Sequence, residues 1–381
     1  MMRVVIAMDS FKGSLSSEEA GTALAEGLRQ AISDIDIRVV PIADGGEGTA
    51  EAVAAARRGR YVETQATDPI GRTIPSRYVT IEKDSTAIIS LAAASGITLL
   101  RPEERNPLIT TTYGTGELIL DALSLGAHNI VVGLGGSATT DGGVGLLRAL
   151  GYRFYDGENR ELSGHTIDIL ERVEDIDGSQ ASSLLRSATL SAMVDVDNPL
   201  LGVRGAANVF ARQKGASDAD VERIEQALTH YATVVARCFG RDVAMAAGSG
   251  AAGGVGYAFR AILGAELNSG IEAILDLADI DTHISTADLV VTGEGRIDAQ
   301  TLMGKAPSGL LRRAVKHQVR CIAVGGSVEH SEQLDQSGFA RIYQSMPDGM
   351  SLSEAMHPTT ARANLRAVGG RIATDLLIGK A

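Results

Sequence analysis

Apolar runs of strand length alternate with helix-like segments at both ends of the chain. Near the N-terminus this pattern predicts strands at 3–8 and 38–42 and helices at 16–31 and 49–57. Ser16 and Glu19 have the spacing of a capping box, which favours a helix start at that point. After about residue 281 the alternation returns, with strands predicted at 288–291, 321–324 and 340–344 and helices near 305–317 and 358–377. Both ends therefore predict strand–helix units around a parallel sheet.

The middle of the chain has a different pattern. Strand-like runs at 61–66 and 77–81 flank a turn at 68–75 that contains proline and glycine, so they predict a hairpin. The remaining predicted segments are a strand at 87–91, a helix at 116–125, a strand at 129–132, a helix at 144–150, an irregular stretch at 151–180, a strand at 192–201 and a long amphipathic helix at 218–239. The predicted fold class is α/β. A doubly wound domain is expected from residues 1–62 and 282–381, with an inserted mixed α/β domain at 63–281.

The composition narrows the class of protein. A chain of 381 residues exceeds the size at which single cores usually stop growing, which agrees with two domains. The net charge of −12 argues against a nucleic-acid partner, because phosphate backbones are bound by clustered Lys and Arg. No apolar stretch is long enough to span a bilayer, and the first residues do not have the layout of a signal peptide. We therefore predict a cytoplasmic enzyme, and a homo-oligomer is compatible with the sequence.

Cysteine and histidine offer little chemistry. The two cysteines, Cys238 and Cys321, are too few and too separated to predict a disulfide framework or a cysteine-based metal site. None of the seven histidines occurs at metal-ligand spacing or in a glycine-rich loop. This distribution also disfavours a Ser-His-Asp hydrolase.

Four loops combine glycine with an acidic residue directly after an apolar strand, at 9–16, 43–48, 133–145 and 292–298. Glycine lets main-chain amides approach a ligand closely, and amides at a helix start favour an anion such as phosphate. The longest loop, 133–145, adds the hydroxyls of Ser137, Thr139 and Thr140 and the carboxylate of Asp141. A carboxylate beside a phosphate is favourable when a cation such as Mg²⁺ lies between them. Each loop alone is ordinary turn chemistry, but the four together indicate phosphoryl transfer.

A dehydrogenase is the main alternative from motifs. Residues 248–253 match the Gly-x-Gly-x-x-Gly dinucleotide pattern, and residues 133–138 match its Gly/Ala variant after a strand, with Asp156 near the position of a ribose-binding acid. Against this alternative, the Thr-Thr-Asp segment would place negative charge near a pyrophosphate. The phosphate-loop motif Gly-x-x-x-x-Gly-Lys-Ser/Thr is missing, as are the protein-kinase motifs. A non-enzymatic nucleotide- or sugar-acid-binding regulator is a further alternative.

Six ordered motifs resemble the class I glycerate kinases over nearly the whole chain. They are the segments 9–14, 43–48, 112–119, 135–139, 195–200 and 292–298. The chain departs from the family pattern at Thr140, where asparagine is expected. The resemblance implies ATP-dependent phosphorylation of D-glycerate with Mg²⁺, and 2-phosphoglycerate is favoured over 3-phosphoglycerate as product. It also implies a flavodoxin-like domain built from both chain ends.

The predicted site residues fall into four groups. Lys12 would neutralise charge on the moving phosphoryl group, and Asp44 or Asp195 would accept the proton of the substrate hydroxyl or orient that hydroxyl. The candidates for binding nucleotide phosphates are Gly135, Gly136, Ser137, Thr139 and Lys305, and those for Mg²⁺ are Asp141 and Asp298. Arg296 and Arg72 are the candidates for binding the glycerate carboxylate.

Overall fold

The computed structural model describes residues 1–43, 54, 57, 59–302 and 304–379. Its strands, in chain order, are β1 Met2–Met8, β2 Ile35–Val39, β3 Arg60–Thr67, β4 Thr73–Ile81, β5 Thr86–Ser90, β6 Asn129–Gly133, β7 Arg153–Tyr155, β8 Asp175–Asp177, β9 Thr189–Val194, β10 Glu266–Ser269, β11 Leu289–Ile297, β12 Arg320–Val328 and β13 Arg341–Gln344.

The α-helices, in chain order, are α1 Ser17–Ala31, α2 Ala92–Ser95, α3 Tyr113–Ser124, α4 Val144–Ala149, α5 Thr166–Arg172, α6 Ala206–Phe210, α7 Asp218–Phe239, α8 Ala251–Ala261, α9 Gly270–Leu277, α10 Ile280–Ile284, α11 Ala306–Lys316, α12 Glu332–Asp335, α13 Leu352–Ala355 and α14 Pro358–Leu377. Short 3₁₀ turns lie at Glu82–Asp84, Ile97–Leu99, Pro102–Glu104, Ser183–Ser187, Arg212–Lys214 and Ala299–Leu302. Among the described residues, no helix has the length and apolar character needed to cross a membrane.

The chain divides into two compact units. Unit 1 comprises Met1–Arg58 and Gly270–Ala381, and unit 2 comprises Gly59–Ser269. The first division therefore falls after residue 58 rather than 62, and the second after residue 269 rather than 281.

Unit 1 contains a five-stranded sheet in the order β13-β12-β11-β1-β2, and every neighbouring pair is parallel. Strands from the two ends of the chain are neighbours, with Val4 opposite Leu289. Val4, Ile6 and Met8 alternate along β1 and form a core with helices α1 and α14. The two helices approach closely, because a Cβ added at Gly27 would lie 2.0 Å from the Arg366 carbonyl oxygen.

The start of α1 fixes the segment that follows β1. Ser16 and Glu19 form the predicted capping box. The Ser17 hydroxyl donates to the Met8 carbonyl at 2.7 Å and accepts from the Ile42 amide at 3.0 Å. These bonds hold the carboxyl end of β1 beside residue 42. Strand β2 begins earlier than predicted, at Ile35, because its pairing with β1 starts opposite Met2. Most of the predicted helix 49–57 lies outside the described residues.

The segment 292–298 is mostly strand and not the loop that its glycines predicted. β11 continues to Ile297, which is paired with Val328 of β12. The glycines are needed for this pairing, since a Cβ at Gly293 would lie 2.1 Å from the Val324 carbonyl oxygen and one at Gly326 would lie 2.4 Å from that of Gly295. The sequence predicts a loop for the glycines of 292–298, whereas they allow two strands to approach closely.

Unit 2 contains a mixed six-stranded sheet in the order β10-β9-β6-β5-β4-β3. β3 and β4 form the predicted antiparallel hairpin, and β5, β6, β9 and β10 are parallel to one another. The stretch 151–180 was predicted to be irregular, but it contains the antiparallel pair β7–β8 and helix α5. Strands of three residues are too short to give a readable alternation of apolar and polar positions. A large apolar core joins the sheet to α3, α4, α7 and α8.

Candidate functional site

Unit 1 has a cavity of about 290 Å³ where β1, β11, β12 and β13 end. Its lining includes acidic and basic side chains, namely Asp9, Lys12, Glu294, Arg296 and Lys305. It also includes apolar side chains, namely Phe11, Met346, Leu352, Ala355, Met356 and Ala361. The carboxyl edge of a parallel sheet is where open α/β folds usually bind ligands. We call this the unit 1 cavity.

The segment 9–15 presents Lys12 at this cavity. Phe11 and Leu15 exchange two main-chain hydrogen bonds of 2.9 and 3.0 Å, which close a tight turn. Gly13 at the turn has φ +75°, a conformation that disfavours side chains. Lys12 is therefore exposed, while Asp9 at the strand end is buried with 3% of its surface exposed.

Glu294 and Lys305 meet in the same cavity. One Glu294 carboxylate oxygen accepts a 2.7 Å bond from the Thr301 hydroxyl, and the other lies 3.4 Å from Lys305 Nζ. Lys305 is the N-cap residue of α11, so the carboxylate also fixes the lysine beside a helix start. Lys305 was predicted from the sequence, but Glu294 was not, because residues 292–298 were interpreted as a loop without a resolved direction for each side chain.

Arg296, near the end of β11, pairs with Asp298, which follows the strand. Arg296 Nε lies 3.2 Å from Asp298 Oδ2, and its Nη2 also contacts the Glu329 carboxylate. Asp298 Oδ1 accepts from the Gln300 amide at 2.9 Å. Arg296 lines the unit 1 cavity with a largely exposed side chain, whereas Asp298 is not among the lining residues. Asp44 lies outside the described residues.

Unit 2 has its own cavity, of about 430 Å³, which we call the unit 2 cavity. Gly135, Gly136, Ser137 and Asp195 line it, as predicted residues of the glycine loop and of the end of β9. Gly136 has φ +70°, which explains the glycine at that position. The cavity is also lined by Arg105 and Lys214, two cations that sequence reasoning did not select.

Lys214 is the principal cavity residue that the sequence analysis did not select. Its side chain has 2% of its surface exposed, and Nζ donates to Ser137 Oγ at 2.9 Å and to the Thr139 carbonyl at 2.6 Å. Burial lowers the pKa of the Lys214 ammonium to about 7, and the negative charge of Asp141 opposes this shift. Lys214 and Ser137 are 77 residues apart, and no local motif links them. Only the tertiary fold brings them together.

Asp141 lies in the interior of unit 2, with no exposed surface. Its Oδ2 accepts from the Thr112 amide and hydroxyl, both at 2.8 Å, and from the Gly145 amide at 3.2 Å, while Oδ1 accepts from the Gly143 amide at 3.0 Å. Burial raises the pKa of the Asp141 carboxyl, and these hydrogen bonds oppose the rise. The position does not favour the predicted role as a Mg²⁺ ligand, because the carboxylate has no exposed surface and its two oxygens accept four hydrogen bonds.

Arg72 and Thr139, two further predicted site residues, are both engaged in contacts within unit 2. Arg72 bonds to the Asp68 carboxylate, to Glu104 at 3.0 Å and to the Leu99 carbonyl at 3.1 Å, and it lines neither cavity. Thr139 is fully buried, and its carbonyl accepts from Lys214. The predicted carboxylate-binding role of Arg72 and phosphate-binding role of Thr139 are therefore not favoured by their positions.

The dinucleotide-like segment 248–253 has a packing explanation. A Cβ at Gly250 would lie 2.2 Å from the Pro199 carbonyl oxygen, and one at Gly253 would lie 2.2 Å from the Thr139 carbonyl oxygen. The Gly142 amide donates to the Gly253 carbonyl at 2.9 Å. The glycines thus allow three segments to approach closely, next to the Asp141 network. Asp156 is bonded within its own loop to Arg160.

The fold is that of an α/β protein with a charged cavity in each unit, and comparison with known proteins gives the family. The sequence model of the "Glycerate kinase family" matches residues 4–377. A glycerate kinase of Bacillus cereus is 44% identical over 357 residues, which cover 93% of each chain. The glycerate 2-kinase of Escherichia coli K12 is 41% identical over 379 residues, which cover 99% of each chain.

A solved structure supports the same assignment. The crystal structure of a candidate glycerate kinase 2 from Salmonella typhimurium LT2 superposes with a TM-score of 0.90 at 40% identity, covering 100% of this chain and 99% of that one. The chain belongs to the glycerate kinase family, and it is an enzyme. The resemblance found in the sequence is confirmed. The dehydrogenase and regulator alternatives receive no support from these comparisons.

Proposed function

We propose that the protein transfers a phosphoryl group from ATP to the 2-hydroxyl of D-glycerate with the assistance of Mg²⁺. The observation that carries the proposal is the unit 1 cavity, where Lys12 and Lys305 lie with Asp9 and Glu294 at the carboxyl edge of a parallel sheet. Phosphoryl transfer requires positioning of the reactants and neutralisation of charge on the moving group, and these residue types supply both. The printed name of the E. coli relative, glycerate 2-kinase, supports the 2-hydroxyl as acceptor.

The architecture of unit 1 fits nucleotide binding. We propose that unit 1 is flavodoxin-like, because its order β2-β1-β11-β12-β13 corresponds to 2-1-3-4-5 when its own strands are counted. The apolar side chains of Met346, Leu352 and Met356 could pack on the base, while Lys305 could bind phosphate oxygens.

Lys12 is the proposed residue for transition-state charge. Its exposed position on a closed turn lets the ammonium reach a phosphoryl group without disturbing the core. Asp195 and Asp44 remain the candidates for accepting the proton of the substrate hydroxyl or for orienting that hydroxyl. Asp195 follows the end of β9 and lines the unit 2 cavity.

The residues present fit a Mg²⁺ ion that is held partly by the nucleotide. Within the described part of the chain, no three His, Cys, Asp or Glu side chains form a protein-only site. Mg²⁺ commonly uses only one or two carboxylates together with substrate phosphates, and Asp9 and Glu294 line one cavity. Bound there, the ion would neutralise phosphate charge. Asp298, predicted from the sequence, is a candidate for a water-mediated contact.

The test is a coupled assay of ADP formation with ATP and Mg²⁺. D-Glycerate, L-glycerate, lactate, hydroxypyruvate and tartronate serve as acceptors, and a parallel assay follows reduction of NAD or NADP. We expect D-glycerate to raise ADP formation far above the acceptor-free rate, with no nicotinamide reduction. ADP formation that is independent of every acid, or nicotinamide reduction with glycerate, would contradict the proposal.

A further inference from the structure

The polar groups of the unit 2 cavity form a donor-rich site around Lys214. An ammonium has three N–H donors, and the contacts of Lys214 with Ser137 Oγ and the Thr139 carbonyl use two of them. Because Ser137 Oγ accepts from Lys214, its own O–H points elsewhere. Burial of a lysine with an incomplete set of acceptors is costly unless a ligand completes the set. The cavity therefore favours a ligand that carries acceptor oxygens.

Arg105 adds a second cation to the same cavity. Its Nε is buried and has no hydrogen-bond partner among the described residues. The chain segments that carry the two cations pack against each other. Gly215 has φ +100°, and a Cβ added there would lie only 2.1 Å from the Arg105 carbonyl oxygen. The turn that follows Lys214 thus packs directly on Arg105. Both cations line one cavity, so an anionic group bound there would meet two positive charges.

Asp195 decides which anion is suitable. It lies at the same cavity and carries a carboxylate, which would repel a group with two negative charges such as phosphate. A hydroxy acid instead has one carboxylate for the cations and neutral hydroxyls that can donate to Asp195. This pattern of two cations and one acceptor matches the two ends of such a molecule.

We infer that the unit 2 cavity is the hydroxy-acid site, in which Lys214 and Arg105 bind the substrate carboxylate and Asp195 accepts a hydrogen bond from a hydroxyl. This inference rests on the proposed function. It changes the ligand of the glycine loop, because Gly135, Gly136 and Ser137 would then contact the acid, whereas the sequence predicted nucleotide phosphates. Thr139 would act by holding Lys214 through its carbonyl.

The experiment measures ligand binding to the full-length protein by calorimetry. D-Glycerate, inorganic phosphate and a non-hydrolysable ATP analogue with Mg²⁺ are titrated separately into the wild type, Lys214→Met and Arg105→Gln. Lys83→Met is the matched control, since Lys83 is an exposed lysine of the same unit. We expect each of the two cavity variants to lower the affinity for D-glycerate at least about tenfold, because one charge-assisted contact is lost. The affinity for the ATP analogue should stay within about twofold of the wild-type value.

The outcomes separate the inference from the proposed function. Loss of ATP-analogue affinity with unchanged D-glycerate affinity would overturn the inference and assign the cavity to the nucleotide. D-Glycerate affinity that is unchanged in both variants would overturn it as well, as would phosphate binding tighter than D-glycerate in the wild type. Wild-type ADP formation is measured on the same preparations. If that activity is present while the variants bind D-glycerate normally, only the inference fails.

A second readout protects the test against misfolding. Asp195→Asn should lower the affinity for D-glycerate more than the affinity for propanoate, which has the carboxylate without hydroxyls. Lys214→Met should lower the affinity for both acids by a similar factor. Equal effects of Asp195→Asn on the two acids would contradict the hydroxyl contact.

Discussion

The segment 9–15 of unit 1 and the loop 133–145 of unit 2 both follow a buried parallel strand and both combine glycine, hydroxyl and aspartate residues. In the first, main-chain bonds close the turn and leave Lys12 exposed at a cavity. In the second, Asp141 is buried within hydrogen bonds, and the cation, Lys214, comes from a distant segment. Two loops of similar composition therefore differ in structure. Segment 9–15 presents a charged side chain at a cavity, whereas loop 133–145 is held in place by buried hydrogen bonds.

The largest expected effect is in the first loop. Lys12→Met should lower kcat about a hundredfold, because a lost charge contact to the transition state costs on the order of 3 kcal/mol. The free energy of unfolding should change by only about 0.5 kcal/mol, since the side chain is exposed. Turnover at saturating ATP and glycerate is measured beside a urea melt, with Lys83→Met as control. Near-normal turnover would make Lys12 a surface residue and favour Lys305 instead.

A substitution in the second loop, 133–145, should lower the stability of the protein and leave its Mg²⁺ requirement unchanged. Asp141→Asn should lower the free energy of unfolding by on the order of 2 kcal/mol, because the amide cannot accept all the bonds that the buried carboxylate accepts. The Mg²⁺ concentration for half-maximal activity should stay unchanged. Urea melts and Mg²⁺ titrations compare this variant with Asp348→Asn, an exposed position. Normal stability combined with a raised Mg²⁺ requirement would restore the metal-ligand role of Asp141.

Binding of glycerate should depend on pH through Lys214. With a pKa lowered to about 7, the free lysine loses its proton as pH rises above 7, and the neutral amine no longer attracts a carboxylate. The kcat/KM for glycerate should therefore fall as the pH rises above 7, by a factor that approaches ten for each pH unit. Among the described residues, the negative charge of Asp141 favours the protonated form of Lys214, and Arg105 and Asp195 line the same cavity as the lysine.

The variant that tests this dependence is Lys214→Met, measured from pH 6 to pH 9. Its profile should lack the inflection near 7 and should stay at the low value throughout. An inflection that persists in Lys214→Met would assign the titration to another group. Lys83→Met should keep the wild-type profile.

The smallest expected effect concerns Arg72. Arg72→Gln should change KM for glycerate by less than about threefold, because the guanidinium is already bonded to Asp68 and Glu104. Arg160→Gln is a matched control, since Arg160 bonds to Asp156 in the same amide and guanidinium arrangement that Arg72 has with Asp68. The two variants should behave alike. A rise in KM confined to Arg72→Gln would return Arg72 to the substrate site.

Local features of the fold could be predicted from the sequence. The capping box at Ser16, the hairpin around residue 70 and the long helix 218–239 each follow from short-range patterns, and the structure has all three. Residues 292–298 could not be assigned, because glycine there serves a close approach between strands that only the paired strand reveals. The short pair β7–β8 has too few residues for periodicity to be read.

The candidate site could be predicted only where its residues share a loop. Lys12, Gly135, Gly136 and Ser137 each lie in a glycine segment, and each lines a cavity. Lys214 lies in an unremarkable 3₁₀ turn, and its role depends on contacts with a loop far away in sequence. Asp141 was in a predicted loop, but its burial could not be known, because composition does not reveal which way a side chain points.

The central claim is phosphoryl transfer from ATP to the 2-hydroxyl of D-glycerate, and ³¹P nuclear magnetic resonance of the reaction mixture tests it most directly. With ATP, Mg²⁺ and D-glycerate, the account predicts ADP together with one new phosphomonoester signal. That signal should be a doublet in the proton-coupled spectrum, because the carbon that bears the phosphate has one hydrogen. A triplet would place the phosphate on the terminal hydroxyl and contradict the position. Unchanged ATP, with no phosphomonoester signal, would contradict the transfer itself.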